Sequence, residues 1–89
     1  MNGARGEVEV ELGGRLVTLC LTLGALARME TALGCSGVAT LVERLRAPCA
    51  GDMAAVLRAL APELSAEDVA GFGIGEAARA VAAAFEAAA

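Results

Sequence analysis

The sequence predicts an α+β fold, with an N-terminal antiparallel β-hairpin packed on a small bundle of about four short helices. Three patterns point to it. Residues 7–12, EVEVEL, alternate strictly between acidic and apolar side chains. Two glycines follow, and residues 15–21 alternate again. From Leu23 onward the apolar residues recur every three to four positions, punctuated by Gly34, Pro48 and Pro62. Period two is the mark of a half-buried strand, and a spacing of three to four is the mark of a helix.

In the first strand Val8, Val10 and Leu12 share one face, and Glu7, Glu9 and Glu11 share the other. Gly13 and Gly14 can take the positive φ angles of a two-residue hairpin turn. That turn pairs Leu12 with Arg15, Val10 with Val17, and Val8 with Leu19, so apolar side chains meet on one face. Glu11 then lies beside Leu16, Glu9 beside Thr18 and Glu7 beside Cys20. Thr22 is placed to cap a helix over 23–33, and Gly34 to end it at the position after the last turn. Ser36 or Gly37 opens a second helix to about Arg46, with Val38, Leu41, Val42 and Leu45 on one face. Asp52 is the expected cap of a third helix carrying Met53, Val56, Leu57 and Leu60, which Pro62 ends. Ser65 and Asp68 form a capping-box pattern for a short turn of helix with Val69 and Phe72. A last helix runs from about Gly75 to Ala87. The expected core is Val8, Val10, Val17, Leu19, Leu26, Met29, Leu33, Leu41, Leu45, Val56, Leu57, Leu60, Val69, Phe72, Val81 and Phe85. Residues 1–6 read as a disordered leader, and 7–89 as a single domain.

Composition narrows the function classes. A chain of 89 residues buries only about 60–65% of the surface its unfolded form exposes, so self-association is expected. The net charge is −4, with seven arginines, no lysine and no histidine. An acidic chain with scattered Arg lacks the dense basic face that binds nucleic acid. No run of about 18 apolar residues spans a membrane, and the N-terminus lacks a signal-peptide stretch, so a cytoplasmic location is expected. Cys20, Cys35 and Cys49 have no CxxC spacing and no histidine beside them, which argues against zinc and for free thiols packed as small hydrophobes in a reducing compartment.

No residue constellation supplies a catalytic, cofactor or metal site. The glycines of 71–75, GFGIG, precede a helix but lack the phosphate-loop spacing and a preceding strand. They read as a structural hinge in which Phe72 and Ile74 anchor the core. Cys35 and Ser36 sit near a helix start, but without a base Cys35 is inert and Ser36 is a cap. The Glu7, Glu9 and Glu11 row lacks further convergent oxygen ligands and reads as a solvated strand face. A serine at the start of helix two invites comparison with acyl carriers. The sequence there is GCSGVA, without the Asp-Ser-Leu that accepts the prosthetic arm, and Arg44 and Arg46 stand where a carrier is acidic. The hairpin is the best functional candidate, because a lone two-stranded sheet can gain a strand from a partner. Leu16, Thr18 and Cys20 form its candidate partner-binding surface.

The segment from Arg5 to Gly34 resembles the opening of the tail assembly chaperone family of gene transfer agents and related phages. Arg5, Gly6 and Glu7 open it, and Gly13 and Gly14 make the turn. Leu21, Thr22, Gly24, Ala25 and Leu26 then match a Leu-Thr-x-Gly-Ala-Leu run. Glu30, Leu33 and Gly34 match an acidic helix ending in Leu-Gly. The likeness is good over 5–46 and looser through Pro62, Glu63, Leu64, Ser65 and the alanine-rich last helix. It implies a non-enzymatic factor that binds the tape-measure protein or tail tube subunits while a virus-like tail is built. The alternative within the same resemblance is a structural tail tube component retained in the particle.

Overall fold

The computed structural model describes residues 7–88, so the expected leader lies outside the described residues. In chain order the elements are β1 (Glu7–Leu12), β2 (Arg15–Cys20), α1 (Leu23–Leu33), α2 (Val38–Arg44), α3 (Ala50–Leu60), α4 (Ala66–Ala70) and α5 (Ile74–Ala88). The architecture is α+β, with five helices among the described residues, one of them the short turn α4 that the capping-box pattern of Ser65 and Asp68 predicts.

The hairpin has the expected register throughout, from Leu12 opposite Arg15 to Glu7 opposite Cys20. Gly13 and Gly14 have φ of 62° and 83°, the doubly left-handed turn whose twist matches that of paired strands. Gly13 is required for a second reason. A Cβ there would lie 3.0 Å from Cε1 of Phe72, so the turn rests directly on that ring. Glu76 completes the attachment, its carboxylate accepting from the N–H of Gly13 at 3.2 Å and of Gly73 at 3.1 Å.

The inner face of the hairpin lies on the helices, with α5 packed along β1 and α3 reaching β2. Leu12, Val17 and Leu19 are buried, whereas Val8 and Val10 are half-buried against the core. The close approach of α5 follows from its inward face, where Ala77, Ala80 and Ala84 are buried beside Val81. Leucines 12, 19, 41, 57, 60 and 64, with Met29, fill the centre. Each contributes about 1.5–3 kcal/mol relative to an exposed side chain. Of the expected core, Leu26, Leu45, Phe72 and Phe85 pack against this centre but stay half-buried. They project from the rim of the bundle, where only one side is covered.

The caps agree with the sequence at both ends of α1. Thr22 accepts from the N–H of Ala25 at 3.1 Å. Gly34 sits at φ 68°, and the N–H of Cys35 bonds back to Glu30 at 3.1 Å, the paired return bonds of a helix stop. At α4, Ser65 and Asp68 exchange bonds of 3.0 Å in both directions.

Two expected caps are corrected. α2 begins after Gly37, one of its two expected openers, at φ 90° and with no side-chain cap, and the Glu30 carboxylate accepts from the Gly37 N–H at 3.1 Å. Ser36 is therefore not the cap. α3 begins after Cys49 rather than Asp52, and Asp52 is the third residue of the helix, reaching back to the Cys49 N–H at 3.4 Å.

Candidate interaction surfaces

The outer face of the hairpin carries the sequence-designated residues. Leu16 is 70% exposed, Thr18 is exposed and Cys20 half-buried. All three lie on one face of β2, opposite Glu11, Glu9 and Glu7 respectively. The structure thus brings together an apolar-to-neutral row and an acidic row on adjacent strands. Among the described residues, no cluster of His, Cys, Asp or Glu is arranged to hold a metal ion.

A second surface is not visible in any single motif. α2, α3 and α5 enclose an apolar groove of about 450 Å³ lined by Val42, Leu45, Pro48, Met53, Val81 and Phe85, with Ala78 and Ala82 as a smooth wall. It continues past Pro48 and Met53 into a groove of about 500 Å³ lined by Leu57, Val69, Phe72 and Ile74. Together they make one apolar band along the helical side. Arg46 is the one charged residue among its lining residues.

Ile74 corrects an expectation. Phe72 packs against the core as a hinge anchor should, but Ile74 is 83% exposed. Three of the five residues that α3 offers to this groove, Ala50, Gly51 and Ala54, are small. Small residues there leave a gap that Ile74 rims instead of filling. On α2 the same thing happens at the other end. Leu41 is buried, but Val38 and Val42, on its apolar stripe, are 51% and 41% exposed. The sequence signal was present in that stripe, which is wider than one neighbouring helix can cover.

A buried carboxylate and a partly exposed guanidinium join the helices that bound the band. Asp52 is 6% exposed, and Arg44 grips both its oxygens at 3.1 Å. The remaining Arg44 nitrogen donates to the Leu33 carbonyl at 2.8 Å. One guanidinium therefore ties the end of α1 and α2 to the first turn of α3. The Arg44 hydrogen bonds, with those from Cys49, hold the Asp52 carboxyl below the usual carboxylate range, and the same partner raises Arg44. Arg28 adds a bond of 2.8 Å to the Ala59 carbonyl, fastening α1 to the end of α3. Arg15 meets Asp68 at 3.1 Å, fastening β2 to α4. Sequence reasoning did not pair Arg44 with Asp52, because a proline-containing connection separates them and helical spacing does not apply across it.

The comparison with known families decides the relationship. Residues 5–89 match the family model described as phage tail tube protein, GTA-gp10. The chain belongs to this gene-transfer-agent phage tail family. The match runs through the hairpin and all five helices, so both surfaces of this tail-family protein lie within it. The likeness that residues 5–46 carry most clearly thus extends along nearly the whole chain. No curated protein and no solved structure matches it. No helix among the described residues is long and apolar enough to cross a membrane.

Proposed function

We propose that this tail-family protein is a non-enzymatic assembly chaperone, acting in the cytoplasm on the tape-measure protein or on tail tube subunits. The observation that carries the reading is the open apolar band from Val42 through Met53 to Ile74. A contiguous exposed apolar surface on a small protein marks a contact site. Its width and its alanine wall suit the apolar face of a partner helix laid into a groove. A tape-measure protein, built of long amphipathic helices, offers such faces before the tube encloses it. The exposed Leu16, Thr18 and Cys20 face of the hairpin is a second surface for assembly contacts.

The test is co-purification of tape-measure protein with wild type and with Val42→Glu and Ile74→Glu. Both positions are exposed, so the variants should fold with unchanged Tm and lose capture. Full capture by both folded variants rejects the groove. Cys20→Lys in the same assay asks whether the hairpin face contributes, and Val17→Lys, which buries a charge, is the unfolded control. The family's description as a tail tube protein favours a second reading, a subunit retained in the particle. Quantitative mass spectrometry of purified particles separates them. Stoichiometric presence sinks the transient chaperone, and absence sinks the tube subunit.

A further inference from the structure

β2 is an edge strand without the usual protection. Natural sheets blunt their edges with lysines, prolines, bulges or a covering element. From Leu16 to Cys20, β2 has no charge, proline or glycine, and its pairing with β1 is unbroken. β1 differs on both counts, with a glutamate at every second position and α5 packed along it. The register also sets where the backbone of β2 points. A two-residue turn makes Leu12 with Arg15 a hydrogen-bonded pair, and the alternation continues to Val10 with Val17 and Val8 with Leu19. Leu16 and Thr18 belong to the intervening pairs, whose N–H and C=O groups aim away from β1. Among the described residues the sheet ends at β2, so those groups aim past its edge.

We infer that this edge pairs with the same edge of a second copy of the chain, antiparallel and centred on Thr18, to give a four-stranded sheet. Charge selects the occupant. A strand laid beside β2 faces only neutral side chains, and the glutamates stand one strand further away, about 9–10 Å off. A charged incoming strand finds no counter-charge next to Leu16–Cys20, whereas a neutral one fits, and this stretch of β2 is itself neutral. In the two-fold register Thr18 faces Thr18 of the second copy, Val17 faces Leu19, and Leu16 faces Cys20. Hydroxyl pairs and aliphatic pairs are favourable cross-strand neighbours. The two acidic rows end on the outermost strands, about 14 Å apart, beyond the roughly 8 Å screening length at physiological salt. The net charge of −4 therefore does not oppose the pairing. The interface is isologous, as two-fold dimers require.

Sedimentation velocity on the wild type, up to about 200 µM where a micromolar Kd gives mostly dimer, is the first measurement. A monomer throughout overturns the inference. Thr18→Lys and Thr18→Glu each place like charges face to face on an exposed position. Each should weaken dimerisation about tenfold or more, with the far-UV circular dichroism unchanged. Mixed in equal amounts, the two variants should recover a heterodimer. Undiminished dimerisation of Thr18→Lys, or no recovery in the mixture, rejects the edge or its register. Val42→Glu, in the groove, should dimerise as wild type, and its failure to do so moves the interface to the groove and overturns the inference. These outcomes are independent of tape-measure capture.

Discussion

Replacing the two turn glycines one at a time separates backbone strain from packing. Both occupy left-handed backbone, with φ of 62° at Gly13 and 83° at Gly14. An alanine in that region costs about 1–2 kcal/mol. At Gly14 nothing lies within 4 Å of the added Cβ, so the backbone term is the whole cost. At Gly13 the same atom comes to 3.0 Å and 3.2 Å from the Phe72 ring. The ring is wedged between the turn and the core, so moving it adds an overpacking cost of about 1–3 kcal/mol. Gly13→Ala should therefore lose about 2–5 kcal/mol against about 1–2 for Gly14→Ala. A chain of this length has roughly 4–13 kcal/mol to lose, so Gly13→Ala approaches unfolding. Urea denaturation followed by circular dichroism measures both. Adding Phe72→Leu should remove the excess at Gly13 relative to the Phe72→Leu background. Equal losses for the two alanine variants, or an excess that survives Phe72→Leu, refute the packing argument.

Acid sensitivity should follow from the two held carboxylates. Asp52, bonded by Arg44 and Cys49, and Asp68, bonded by Ser65 and Arg15, are both held below the ordinary carboxylate range. A depressed folded pKa gives stability that is fully present above the unfolded value and lost as pH falls below it. Tm should stay flat from neutrality to about pH 5 and drop below about pH 4, and Asp52→Asn should lower the plateau while flattening the drop. A plateau unchanged by that variant excludes a structural role for the ion pair. At the start of α3, Cys49 caps with a sulfur, a weak acceptor. Cys49→Ser supplies a preferred cap and should raise stability by about 0.5–1 kcal/mol in the same urea titration, and a loss of stability would show that the thiol packs rather than caps.

Local patterns were legible where one rule acted alone. The hairpin register follows from EVEVEL, two glycines and a second alternation, because one face must be buried and a one-residue slip exposes it. Thr22 and Gly34 mark the ends of α1 by side-chain and backbone chemistry that needs no tertiary partner. Legibility failed where distant residues compete for one group. Gly37 rather than Ser36 precedes α2, without a side-chain cap, and Glu30 of α1 holds its N–H. Asp52 reads as a cap, but it is the third residue of its helix, and its carboxylate accepts from the Cys49 N–H as well as from Arg44. The buried alanines were also hidden. Ala77, Ala80 and Ala84 carry little hydrophobic weight, yet their small size sets how closely α5 approaches β1.

The same small residues explain why the apolar band stays open. Where α5 meets β1, Ala77, Ala80 and Ala84 are buried beside Val81. Along the band, Ala78 and Ala82 of α5 line the first groove, Ala50, Gly51 and Ala54 of α3 line the second, and Met53 stands between them. Arg44 and Asp52 meanwhile pin α2 to α3, so α2 cannot swing in to cover Val42. The groove is framed by an ion pair whose Asp52 is buried and whose Arg44 is partly exposed, and small residues of α3 and α5 stand among its larger lining side chains. A surface left apolar by incidental packing would collapse once that pair is cut. Substituting larger side chains for Gly51 and Ala54 should therefore stabilise the chain and abolish tail-protein capture together. That coupling is the behaviour expected of a groove built to receive a partner.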